Sequence, residues 1–182
     1  GHSVIGDDVT STTGAINFNS NVTITSTDAI TIQTGEDAGD DLTITGNLAG
    51  VDDNLTIDAG AAGDINIDGT VDLGTGSLTI RDAAIVDFAQ TVALNGFTQT
   101  DGTTSTTING VLTNADAFDF TGNALSLLGT GNNTSTVFET TNAGTFTTGD
   151  GAALVVNGAI TENGAGHSVI GDDVTSTTGA IN

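Results

Sequence analysis

Along most of this chain apolar residues recur two positions apart, with one polar residue between them. The pairs are Ile16/Phe18, Val22/Ile24, Ile30/Ile32, Leu42/Ile44, Leu55/Ile57, Ile65/Ile67, Val71/Leu73, Leu78/Ile80, Val86/Phe88, Val92/Leu94, Phe118/Phe120 and Leu125/Leu127. A period of two over three residues predicts a short strand with one buried face. Gly, Asn and Asp fill the intervals, as tight turns require. Helix signals are nearly absent, because Lys and Met are missing and Glu is scarce. The chain reads as all-β.

Three stretches can be laid over one another: 14–39, 40–63 and 64–83. Each holds three strand signals and returns to the same phase after about 20–26 residues, the outline of one coil of a parallel β-solenoid. This phasing makes two inward columns, Ile16, Leu42, Ile65 and Val86 in one, Phe18, Ile44, Ile67 and Phe88 in the other. It also aligns AITIQ (29–33), NLTID (54–58) and SLTIR (77–81). Gln33, Asp58 and Arg81 then form an outward ladder, its members about 4.8 Å apart. The segment 97–120 has the outline of 160–182 continued by Phe18, with few identities. The absence of Pro suits a stack in which every strand is central, since Pro would delete a ladder hydrogen bond.

Residues 1–17 and 166–182 are the same 17 residues, GHSVIGDDVTSTTGAIN, at an offset of 165. Chance does not produce such a match, and old duplications diverge. Residues 1–165 are therefore read as one complete tandem unit and 166–182 as the start of the next. A unit of this length would hold seven to eight coils, about 34–38 Å of fibre. Stability in such arrays comes from stacking on neighbours, because each coil buries little alone. The expected partners are identical repeats stacked head to tail, and neighbouring fibres.

Charge narrows the function. There are 23 acidic residues against one Arg and no Lys, a net charge of −22. Nothing can neutralise phosphates, so no nucleic-acid partner is expected. Docking on anionic membranes is disfavoured, and no apolar run is long enough for direct membrane insertion. Acidic chains are often disordered, yet 36% of this one is apolar and those residues alternate. No Cys is present, so disulfides do not hold the fold. With no Met anywhere, residue 1 is not read as a native start, and an export signal is expected outside the sequence given.

Segments such as GAINFNSNVTITSTDAITIQTG, NLTIDAGAAGDINIDGTVDLGTGSLTI and AITENGAGHSVIGDDVTSTTGAIN resemble the repeat regions of filamentous-haemagglutinin-like giant bacterial surface proteins. The resemblance spans essentially the whole chain and is one of style, carried by G-x-Φ-x-Φ and L-T-I-x motifs, where Φ is apolar. It implies a right-handed parallel β-helix, export to the bacterial cell surface or medium, and a role in adhesion, cohesion or fibre formation. Many such shafts have diverged repeats. Complete identity over the overlap instead suggests a polymer selected for length and uniformity.

Candidate chemistry adds little. Acidic pairs fall in predicted corners: Asp7-Asp8, Glu36-Asp37, Asp40-Asp41, Asp52-Asp53 and Asp172-Asp173. Ca²⁺ takes six to eight hard oxygens, so Asp40, Asp41, Asp52 and Asp53 are candidate ligands, and Ca²⁺ is the only cofactor entertained. No EF-hand or nonapeptide Ca²⁺ motif is present, and solvated corner carboxylates are the plainer account. His2 and His167 are one repeat position, read as a surface or turn His. The T-x-T runs 22–25 and 42–45 suggest an ice-binding face, but the next coil reads INID (65–68) and breaks it. A polysaccharide lyase or hydrolase would need a basic residue beside a metal, or two convergent carboxylates. Only Arg81 could serve, and no nucleophile–base set is legible. The expected function is a non-catalytic structural repeat of an extracellular fibre or adhesin stalk. The alternative is a shaft that binds Ca²⁺ or glycan.

Overall fold

A computed structural model of the chain describes residues 1–26 and 28–182. Among them there is no helix; 25 short strands form three sheets, and every pairing is parallel. The first sheet has nine strands, from His2–Ile5 through Asn21–Ile24 to Ala152–Val156 and Val174–Ser176. The second has eight, from Val9–Thr10 and Ile30–Gln33 to Ile160–Glu162. The third has eight, from Ile16–Phe18 and Leu42–Ile44 to Phe146–Thr148 and Ser168–Ile170. Each strand pairs with the one three places later, so three strands and three corners make one coil. The molecule is a β-solenoid of about eight coils.

Coil length varies while the strands keep register, except at one bulge between Ile80 and Asp82. Twenty-six residues separate Ile16 from its partner Leu42, but 19 separate Thr106 from Leu125. Corners absorb the difference. Two of them use the same device. In Asp58-Ala59-Gly60 and Asp72-Leu73-Gly74 the Asp carboxylate accepts the Gly N–H at 3.1 Å. The glycines stand at φ of 68° and 59°, a region closed to most side chains.

The core is a thin continuous column inside the three sheets. Ile16, Leu42, Ile65 and Val86 are successive cross-strand partners in the third sheet, as are Phe18, Ile44, Ile67 and Phe88. From Leu42 to Phe88 these residues are essentially inaccessible to solvent. Ile16 and Phe18 are half-buried, packed against the core. In the second sheet Phe97, Phe118 and Phe138 are partners and their rings stack face to face, at centroid separations of 4.6 and 4.8 Å. Parallel in-register strands place identical side chains one coil spacing apart, which is the natural separation of stacked rings.

The second half of the core is partly polar. Gln99, Thr106, Asn114, Asn133, Ser135, Thr140, Asn142 and Thr148 are buried. Thr106 donates to Gln99 Oε1 at 2.7 Å, and Asn114 Nδ2 donates to Ser135 Oγ at 3.0 Å. Ser135 Oγ in turn has two main-chain carbonyls, those of Asp116 and Val137, within reach of its single proton. Asn133 Oδ1 accepts the Leu112 N–H at 2.9 Å while its Nδ2 donates to Ala153 O. The bonds of Asn114, Asn133 and Ser135 cross from one coil to the next, 19 to 21 residues away, while that of Thr106 to Gln99 spans the interior of a single coil.

Candidate functional site

The acidic corners have a structural occupation. Asp8 Oδ1 accepts the Thr31 N–H at 2.7 Å, Asp41 Oδ1 that of Asp64 at 2.9 Å, and Asp64 Oδ1 that of Ile85 at 3.1 Å. Asn21, Asn47 and Asn54 do the same for Asn47, Thr70 and Ser77. A corner has left the ladder, so its N–H groups need another acceptor. An Asp or Asn directly beneath supplies it. At these six positions Asp or Asn is thus a coil-to-coil fastening, while Asp7, Asp40 and Asp172 accept N–H groups within their own corners.

The four candidate Ca²⁺ ligands are not brought together. Asp40 and Asp41 lie on the approach from the second sheet to the third, and Asp52 and Asp53 on the corner from the first to the second. Asp40 Oδ2 accepts the Asp37 N–H at 3.3 Å, and Asp52 Oδ1 accepts the Thr75 hydroxyl at 2.6 Å. Among the described residues no three His, Cys, Asp or Glu side chains form a metal-holding group. His167 Nε2 lies 3.5 Å from Thr145 Oγ1. The T-x-T runs fall in different sheets, Asn21–Ile24 in the first and Leu42–Ile44 in the third, so they form no common face.

The ladder Gln33, Asp58, Arg81 needs one correction. Gln33 and Asp58 are cross-strand partners. Leu78, Thr79 and Ile80 pair with Leu55, Thr56 and Ile57, but the register then shifts and Asp58 pairs with Asp82. Arg81 is the extra residue of a bulge, and it faces outward, as alternation after the buried Leu78 and Ile80 requires. Its guanidinium reaches back, and Nη1 lies 3.2 Å from Asp58 Oδ2, the one ion pair among the described residues. The Arg81 side chain is 55% exposed, so the pair is worth no more than about 1 kcal/mol.

The bulge has a consequence that the strand pattern does not announce. It carries Asp82 into line with Asp58, in a groove that Glu36 and Asp101 also line. Desolvation raises the Asp82 pKa above the usual carboxylate value, and the charges of Asp101 and Asp58 add to it. Its Oδ1 is buried and accepts no hydrogen bond. A raised folded-state pKa means that stability is lost as pH rises through it. Asp82→Asn should therefore raise the melting temperature at pH 7. The gain should vanish below the unfolded-state pKa near 3.8, where wild-type Asp82 is already neutral in both states. Thermal melts of both proteins at pH 7 and pH 3 check this.

The groove offers four carboxylates and one guanidinium on an open surface. What it can do chemically is attract cations. Comparison with protein-family models, curated proteins and solved structures finds no match for this chain.

Proposed function

We propose that the chain is a structural repeat of a long fibre or adhesin stalk on the bacterial surface or in the medium, without catalysis. One observation carries the reading. The 17 residues that restart the sequence extend the ladders without interruption: Ser168–Ile170 pairs with Phe146–Thr148, and Val174–Ser176 with Ala152–Val156. A unit whose end accepts its own beginning as the next coil is suited to indefinite repetition. The extracellular assignment rests on the resemblance to filamentous-haemagglutinin-like shafts. Electron microscopy of the native material tests the reading. Thin uniform filaments are expected; discrete globular particles would refute it.

The charge of −22 sets how such fibres meet. Carboxylates on all sides repel at low ionic strength, where the Debye length is about 30 Å at 0.01 M, against about 8 Å at 0.15 M. Lateral association, followed by light scattering, should rise steeply across that range. Association independent of salt would mean that contacts other than screened charge hold the fibres.

A further inference from the structure

The two copies of the 17-residue segment have the same local structure but lie in different sheets. In the first copy the strands His2–Ile5, Val9–Thr10 and Ile16–Phe18 belong to the first, second and third sheets. In the second copy Ser168–Ile170 and Val174–Ser176 belong to the third and first, and Ile181 bridges to Ile160 in the second. Local detail repeats: the Asp8 N–H bonds to Asp7 Oδ1 at 2.9 Å, and that of Asp173 to Asp172 Oδ1 at 2.8 Å. The strand Ser168–Ile170 comes 23 strands after His2–Ile5, which is seven coils and two further strands. One unit of 165 residues thus spans seven and two-thirds coils.

The three sheets accept this permutation. The turn Gly6-Asp7-Asp8 joins the first sheet to the second, and its copy Gly171-Asp172-Asp173 joins the third to the first. The two copies also define both sides of one junction. The first copy shows what lies above it: Ser3, Val4 and Ile5 pair with Val22, Thr23 and Ile24. The second shows what lies below: Ser168, Val169 and Ile170 pair with Phe146, Thr147 and Thr148. Ile5 is 6% exposed beneath its covering coil, whereas Ile170, the same position, is 49% exposed. Ile170, Ile181, Val174, Phe146 and Ile160 line an apolar recess at this end. The coil that covers Ile5, containing Asn21–Ile24, is the one that fits it.

Given the tandem-fibre reading, we propose that this end receives the next copy of the repeat, and that successive repeats are turned about the axis by one sheet. The rise per repeat is about 37 Å at ~4.8 Å per coil, and orientation returns after three repeats and 23 coils, about 110 Å. A corner such as Asp52-Asp53 then faces three directions in turn. The fibre offers each lateral feature on every side, and its association with other fibres is not confined to one face.

Two experiments test this. The chain has no Cys, so introduced pairs report position cleanly. Thr147→Cys with Val169→Cys joins adjacent outward positions on neighbouring strands, within disulfide reach. Val155→Cys with Val169→Cys would close only if the second copy lay in the same sheet as the first. Mass spectrometry after mild oxidation should find the first pair closed and the second open. The reverse, or neither closed, overturns the proposal. Helical reconstruction of native filaments should give a rise near 37 Å with a third of a turn per repeat. The same rise without rotation overturns the one-sheet turn and leaves the fibre reading standing. An absence of filaments overturns the fibre reading, while the cysteine pairs still report the phase.

Discussion

Ile44→Asp should unfold the coils on either side of it, whereas Thr43→Asp, one residue away, should leave them intact. Both substitutions add one negative charge to the strand Leu42–Ile44. Ile44 is 0% exposed and lies between Phe18 and Ile67 in its column of a thin core. A carboxylate there finds no counter-ion and displaces contacts with both neighbours. The expected loss is roughly 4–5 kcal/mol, comparable to the total stability of many domains. Thr43 points outward between Asn17 and Asn66, and an added charge there should cost about 0.5 kcal/mol or less. Thermal melts give the difference, and hydrogen exchange locates it. Loss of protection should centre on residues 16–67 and fade along the axis, because each coil is held by its neighbours. Equal effects from the two variants would mean that the strand does not present Ile44 inward.

The phasing of the first half was legible because its inward positions are uniformly apolar. Ile30, Leu55 and Leu78, and Ile32, Ile57 and Ile80, declare their columns through the motif Φ-T-I, with Ile or Leu in the first place. Beyond residue 97 the inward positions change character. Phe97-Thr98-Gln99 aligns with Leu78-Thr79-Ile80, so Gln99 occupies the place of Ile80 and is 2% exposed. Period-two reading assigns a polar residue to the outside, and only coil spacing corrects it. Asn114, Asn133 and Ser135 were hidden in the same way. The faint likeness of 97–120 to 160–182 matches the sheets but slips by one residue in the third, where Thr106 and not Ser105 stands in line with Ser168. Phe97–Gln99 and Ile160–Glu162 share the second sheet, and Ser105–Ile108 and Ser168–Ile170 share the third.

The site was less legible than the fold. Acidic pairs were visible as clusters, but their role depends on which backbone N–H lies above each one, and corner lengths decide that. Asp41 and Asp64 are 23 residues apart, yet Asp41 Oδ1 accepts the Asp64 N–H. The bulge at Arg81 was invisible because a bulge changes no residue type. SLTIR and NLTID align without a gap around a shared L-T-I, and one inserted position in the pairing puts Asp82 where Arg81 was expected.

Phe118→Ala should be the most damaging truncation in the chain. Phe118 is fully buried, with Phe97 below and Phe138 above, their planes within 10° and 7° of its own. Losing the ring removes two stacking contacts and opens a cavity between coils. Main-chain ladders fix the strands at about 4.8 Å, so the neighbouring rings cannot close together to fill it. Unrelaxed cavities of this kind cost about 3–5 kcal/mol. Phe118→Leu should recover most of that loss. Leu78 holds the same column position two coils earlier, paired with Phe97, so the column accepts a Leu–Phe contact. Near-ultraviolet circular dichroism follows the rings directly, since the chain has neither Trp nor Tyr. In Phe118→Ala the phenylalanine fine structure should fall and the melting temperature drop sharply. In Phe118→Leu the fine structure should fall with only a modest drop in melting temperature. An alanine variant as stable as the leucine variant would show that the rings fill space without holding the coils together.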